Sequence, residues 1–410
     1  MNAKTDVNGS RLWNRLMEMA KIGATDKGGC NRQALTDLDK DGRDLFCAWA
    51  RNAGCTIKID QMGNIFARRE GRNIESASVI AGSHLDTQPT GGKFDGVYGV
   101  LAALEVIETL NDHSIETDHP IEAVVWTNEE GARFSPAMIG SGVFCGEFEI
   151  EFAHKIEDKN GVQLGEELSR INYCGDASCA PFPIKAAFEA HIEQGPILEA
   201  EDKTIGVVTG VQGMRWFNIV ISGEPVHAGP TPMNARKDPM NALSKIMTAI
   251  YEITSDYAPD SRATFGDVAA TPGSRNTVPE VVTLAVDIRH PNEAMLDEID
   301  HQMRTAIDKI STETKTSAIV ETIWHSPAVE FDQGCISAVR AGVEKTGKDY
   351  MEMVSGAGHD SVYISRVAPT AMIFVPCKDG ISHNEAEDAK PEHLETGANV
   401  LLNAIIELAS

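Results

Sequence analysis

The sequence predicts an α/β protein with a mixed sheet covered by helices, interrupted by an inserted α+β unit. Three observations carry this. From residue 55 onward, short apolar runs alternate with longer helical stretches, the pattern of a sheet covered on both faces. Residues 212–327 form a self-contained β-α-β-β-α-β series, the split βαβ unit. From residue 328 the alternation of helix and strand returns. The expected organisation is therefore one body made of 1–211 and 328–410, with 212–327 inserted into it.

The elements follow in order. Residues 9–22 and 40–53 space their apolar side chains as amphipathic helices do. Strands are expected at 55–59, 64–67, 77–81 and 121–126, with a helix over 97–110 before the last. Residues 155–181 read as an irregular excursion, and 186–192 and 204–209 as strands. In the insert, strands at 215–222, 262–269, 281–288 and 318–324 flank helices at 239–257 and 293–311. This order makes a four-stranded antiparallel sheet with both helices on one face. The alternation resumes with 336–345, 351–354, 361–367 and 371–375, and a helix over 391–409 closes the chain.

Composition narrows the function classes. The 410 residues are 42% hydrophobic and 24% charged, enough for a sizeable core and two domains. A formal charge of -25 repels nucleic acid and acidic membrane surfaces. No apolar run approaches the roughly 20 residues of a membrane span, and the first residues lack the apolar stretch of a secretory signal. The eight cysteines are scattered with no C-x-x-C pair, which reads as reduced thiols in a cytoplasmic protein.

Residues able to do chemistry fall at the ends of expected strands, where α/β sheets collect ligands. In Gly82-Ser83-His84-Leu85-Asp86-Thr87, an extended backbone puts His84 and Asp86 on one side. Asp86 could then accept from the second nitrogen of a ligating His84, though an isolated H-x-D is more often structural. Asp95, in Gly91-Gly92-Lys93-Phe94-Asp95-Gly96, reads either as a helix N-cap or as a carboxylate brought close to a crowded site by glycines. Glu129 and Glu130 follow an apolar strand, and two carboxylates delivered together suggest a metal ligand beside a general base. His191 and His383 lie in Glu189–Pro196 and Gly380–Glu385 segments of similar character. As a set, three histidines and two carboxylates suit two borderline divalent ions with Asp95 between them. Metal-free chemistry has less support: there is no G-x-S-x-G elbow and no phosphate-binding loop. Cys145 and Cys377 have no histidine base assignable from sequence.

The motifs G-S-H-L-D-T, G-G-K-F-D-G, T-N-E-E-G, E-A-H-I-E-Q-G-P, G-x-V-T-G-V-Q-G-x-R-W, V-H-A-G-P-T-P-M, N-T-V-P and G-I-S-H-N-E occur here in one order. In this the chain resembles the zinc-dependent amidohydrolases of the N-carbamoyl-L-amino acid hydrolase, β-ureidopropionase and allantoate amidohydrolase family, over residues 10–408. The resemblance implies His84 and His191 on one metal, Glu130 and His383 on the other, and Asp95 bridging. It makes Glu129 the general base and Asp86 the residue that orients His84. A histidine at position 191, where many peptidase relatives carry a carboxylate, implies the carbamoyl-cleaving branch. It further implies a homodimer in which the inserted unit is a lid and dimerisation domain that covers the other subunit's site. Asn276 and Arg289 would then hold the carboxylate of a small-molecule substrate and His227 would stabilise an oxyanion, with Arg215, Gln194 and Gly358 as further substrate contacts. Read without the resemblance, Arg289 makes a helix-dipole or surface pair and Asn276 has a turn role in Asn-Thr-Val-Pro. The expected cofactor is two divalent ions per subunit, zinc first, with manganese, cobalt or nickel as alternatives. The expected reaction releases an amino acid, ammonia and carbon dioxide from an N-carbamoyl-L-amino acid. Allantoate or β-ureido acid hydrolysis, an aminoacylase or dipeptidase, and a non-catalytic metal-binding scaffold are the competing readings.

Overall fold

A computed structural model describes residues 5–410, and the chain divides into two compact units. One comprises the chain up to Thr209 together with Glu330–Ser410, and the other is Gly210–Val329. The expected α/β class is observed: the first unit is built on a nine-stranded mixed sheet, the second on a four-stranded antiparallel one.

The first unit opens with α1 (Gly9–Met19), α2 (Asp37–Asn52), β1 (Thr56–Ile59), β2 (Ile65–Arg69), β3 (Ser78–His84), α3 (Val97–Asp112) and β4 (Ile121–Trp126). Thr36 starts α2 by accepting the Asp39 N–H, and Asp37 and Asp39 in the first turn suit its positive end. Every residue of β3 and β4 is buried, the mark of parallel strands covered on both faces. Next come α4 (Ile139–Phe144), α5 (Ile150–His154), α6 (Leu164–Arg170), β5 (Ile184–Ile192), α7 (Ile197–Ala200) and β6 (Ile205–Val211). The stretch expected to be irregular thus contains α6, which buries Leu164 and Leu168. Its seven residues are too few to show a helical period in sequence.

The second unit holds β7 (Gly213–Ser222), α8 (Pro239–Ser255), β8 (Arg262–Thr271), β9 (Val281–His290), α9 (Glu293–Thr314) and β10 (Ser317–Ser326), in sheet order β10-β7-β9-β8. Phe217, Ile219 and Ile221 of β7 and Val282, Leu284, Val286 and Ile288 of β9 are buried with Ile246 and Ile250 of α8 and Leu296, Ile299 and Met303 of α9. Both helices therefore cover the same face.

The first unit is completed by β11 (Val329–Glu330), α10 (Gln333–Thr346), β12 (Tyr350–Ser355), α11 (Ser361–Ile364), β13 (Thr370–Val375) and α12 (Pro391–Ala409). Its sheet runs β1-β2-β4-β3-β5-β13-β6-β11, with β12 paired to β6. The four central strands β4, β3, β5 and β13 are mutually parallel. Their C-terminal ends consequently share one edge of the sheet, the place where open α/β sheets bind ligands. Among the described residues, no helix is long and apolar enough to cross a membrane.

Candidate metal centre

The loops leaving that edge carry the chemistry. His84 ends β3, Glu129 and Glu130 follow β4, His191 lies near the end of β5, and His383 follows β13. Asp95 sits just before α3. Its reading as an N-cap is excluded: the cap is Gly96, and no side chain caps this helix. Gly96 has φ +66°, and a Cβ there would lie 2.3 Å from the His84 ring, so only glycine lets Asp95 approach.

The Asp95 carboxylate faces both ways. Oδ1 lies 3.2 Å from His191 Nε2 and 3.7 Å from His84 Nε2, and Oδ2 lies 3.4 Å from His383 Nε2. Glu130 Oε2 is 3.3 Å from the same His383 nitrogen. Two triads result, His84–Asp95–His191 and Asp95–Glu130–His383, each with ligand atoms within 4.8 Å of one another. Glu129 belongs to neither, yet its Oε2 stands 3.3 Å from His84 Nε2. A third group, Glu189–His191–His359, meets the same distance criterion. There Glu189 is already occupied by the Ser83 hydroxyl and by the Ser361 N–H and hydroxyl.

Electrostatics test whether cations fit. Burial, then Asp360, Glu130, Asp95 and Asp86, push the Glu129 carboxyl well above its usual range. Burial and Asp95 raise Glu130 to about 8, and burial and Asp39 raise Asp86 to about 7. Burial drives His84 down to about 4, while the Asp95 hydrogen bond leads in raising His383 to about 9. So many crowded carboxylates in a dry site are mutually destabilising, and divalent charge between them removes that penalty. Imidazole and carboxylate are also the donors that borderline cations take. The cluster therefore suits divalent metal. Cysteine chemistry does not compete, because burial pushes the Cys145 and Cys377 thiols up to about 12.

The family model of peptidase family M20/M25/M40 matches residues 80–407. The chain belongs to this family. It is 46% identical to an N-carbamoyl-L-amino-acid amidohydrolase of Rhizobium meliloti, over 98% of this chain and 97% of that one. It is 33% identical to an allantoate amidohydrolase of Bacillus subtilis, over 95% of each. Among solved structures, an amidase of the hydantoinase/carbamoylase family from Burkholderia multivorans is similar at 55% identity and a TM-score of 0.95, covering 98% of both chains.

Within this M20/M25/M40 chain, several residues depart from their expected places. Asp86 does not hold His84 with its carboxylate, which is 4.0 Å away; the acceptor of His84 Nδ1–H is the Asp86 backbone carbonyl, at 2.9 Å. The carboxylate instead accepts the N–H groups of Glu129 and Glu130, at 3.3 and 3.2 Å, and fixes the turn that presents them. Arg215 is not free for substrate. Its guanidinium is tied to Glu293, Asp297 and Asp300 of α9, on the helix-covered face. Gln194 donates to Asp95 Oδ2 at 2.9 Å, against the central carboxylate. Gly358 precedes His359, whose ring packs 4.6 Å, centroid to centroid, from that of His191. His359, Asp360 and Ser382 were missed in sequence, although the Gly-Ala-Gly-His-Asp segment signals a tight approach near 359.

The remaining expected substrate residues lie in the second unit, which brings two of the three together and not the third. His227 bridges Thr277, and the Ala228 N–H donates to the Asn276 carbonyl, which puts His227 and Asn276 side by side. Both lie beyond the end of the sheet where Ser222 pairs with Val281. Arg289 sits at the opposite end, paired in register with Met214 and Arg262. Eight strand residues separate the ends, about 27 Å at about 3.4 Å per residue. Arg289 is on the open face, where its side chain pairs with Asp287 at 2.8 Å.

Proposed function

We propose that this chain hydrolyses the carbamoyl C–N bond of an N-carbamoyl-L-amino acid, giving the amino acid, ammonia and carbon dioxide. The observation that carries the reading is Asp95 shared by two ligand triads with Glu129 beside but outside them. The choice of substrate rests on the name of the 46%-identical relative. His84, His191 and Asp95 would hold one cation, and Asp95, Glu130 and His383 the other, with zinc as the first choice. Bound there, two divalent ions supply Lewis acidity and a lowered pKa for water. Glu129 takes the proton of the attacking water and returns it to the leaving nitrogen. Its carboxylate, outside both triads and 3.3 Å from His84 Nε2, is positioned for both halves of that transfer. His227 donates to the oxyanion where charge develops. Asn276 and Arg289 hold the substrate carboxylate, and for Arg289 the planar fork suits a bidentate grip once Asp287 is exchanged for substrate. Among the described residues all eight cysteines are free, in keeping with a cytoplasmic enzyme.

Substrate consumption, followed by chromatography, in metal-loaded protein offered N-carbamoyl-L-amino acids, N-carbamoyl-β-alanine, allantoate and N-acetyl amino acids checks the substrate. An N-carbamoyl-L-amino acid should lead in kcat/KM by about tenfold or more, a difference that pocket contacts can supply. Faster turnover of allantoate transfers the assignment to the Bacillus subtilis relative's activity. Preference for N-acetyl substrates rejects carbamoyl cleavage.

A homodimer with shared sites belongs to the same proposal, now divided differently among the residues. A small substrate cannot span the length of β9, so one copy of the second unit cannot give both Arg289 and the His227–Asn276 pair to one site. We propose that the His227–Asn276 pair reaches a site from the partner subunit, as the resemblance implies, and that Arg289 of the same copy does not accompany it to that site. Mixing inactive Glu129→Gln with inactive His227→Ala protein, under subunit exchange, should restore up to about half of wild-type activity per heterodimer, because one site then holds no defect. Glu129→Gln mixed with Arg289→Ala should stay dead. Recovery in the second mixture and none in the first reverses the assignment, and recovery in neither rejects shared sites.

A further inference from the structure

Ser382 and Glu387 flank His383 in sequence but belong to neither ligand triad. Glu387 is 2% exposed. Its Oε1 accepts the backbone N–H groups of Phe94 and Asp95, at 2.9 and 3.2 Å, and its Oε2 lies 2.9 Å from Ser382 Oγ. Gly92 makes room for it, since a Cβ there would stand 2.0 Å from Glu387 Oε1. One carboxylate thus joins the loop that presents Asp95 to the loop that presents His383.

Ser382 Oγ is also 3.1 Å from Asp95 Oδ2, and it accepts from Gln194 Nε2 at 3.2 Å. A hydroxyl has one proton, so two carboxylates compete for it. Asp95 Oδ2 is the oxygen turned toward His383 and the Glu130–His383 cation position. A proton donated to Oδ2 would occupy a lone pair needed there and weaken the ligand. We propose that Glu387 is a positioning residue that accepts the Ser382 O–H, so that Asp95 Oδ2, which already accepts from Gln194 Nε2, keeps its remaining lone pair for a cation, while the other Glu387 oxygen fixes the Asp95 backbone. This rests on the two-cation reading of the site.

The test uses cobalt(II) alone, titrated into demetallated full-length protein and followed by its visible spectrum. Wild type should bind two ions per chain. Glu387→Gln keeps Oε1 for the Phe94 and Asp95 amides but replaces Oε2 with an N–H donor, which turns the Ser382 proton onto Asp95. Its weaker-binding cobalt should lose about tenfold in affinity and change spectrum, in line with other outer-shell ligand partners. Adding Ser382→Ala to Glu387→Gln removes the offending proton and should recover most of that affinity. Ser382→Ala alone should bind both ions as wild type does. Wild-type cobalt binding by Glu387→Gln overturns the proposal, and so does a double variant that fails to recover. Weakened binding by Ser382→Ala alone overturns it too, whether or not Glu387→Gln folds. A wild type that binds no cobalt pair is a separate failure, that of the two-cation reading itself.

Discussion

Glu129→Gln protein is expected to bind metal as the parent does and to lose kcat by a factor on the order of 10² or more. The substitution is nearly isosteric and removes the ability to take up a proton. Glu129 is in neither ligand triad, so its loss strips no donor from a cation. It also removes one charge from a crowd in which Asp360, Glu130, Asp95 and Asp86 all bear on Glu129, while both triads keep all of their donors. The Glu129 N–H bond to Asp86 belongs to the backbone and survives the change. Metal content by atomic absorption and the separation of kcat from KM decide the matter. Normal turnover would mean that another base acts; lost metal would make Glu129 a ligand.

Exhaustive chelation should abolish turnover, and zinc, manganese or cobalt should restore it. The expectation comes from the charge pattern: burial lifts Glu129, Glu130 and Asp86 out of the usual carboxylate range, and among the described residues the ion-pair partners of Asp95, Glu129 and Glu130 are histidines. Thermal unfolding gives a readout independent of activity. A cation that binds only the folded chain, at about 100 times its Kd, should stabilise it by about 2.7 kcal/mol. Full activity in protein shown to be metal-free would reject the two-cation mechanism. An unshifted unfolding temperature on adding metal would reject the cation site.

Much of the site was legible because strand ends and donor side chains share one local signal. His84, Asp95, Glu130 and His191 each stand next to a glycine, a strand end or both, His383 lies in the loop after β13, and the parallel order of β4, β3, β5 and β13 gathers them. Arg215 could have been placed correctly from parity alone. It alternates in step with Phe217, Ile219 and Ile221, so it points to the helix-covered face, whereas Arg289 is out of step with Val282, Leu284, Val286 and Ile288. Asp86 could not have been placed this way. Its position two residues after His84 suits either oxygen as an acceptor, and the backbone carbonyl wins because the carboxylate is claimed by a turn some forty residues later.

By itself, the sequence determined the α/β class, the inserted antiparallel sheet with its two helices, and the identity of the clustered donors. These rest on period, turn chemistry and residue type, all of which are local. Tertiary structure alone decided that Asp95 faces two triads, that Glu387 ties its loop to that of His383, and that Arg289 stands a sheet's length from His227 and Asn276. Those outcomes depend on strand register and on hydrogen bonds between loops as many as 293 residues apart, and no local pattern encodes them.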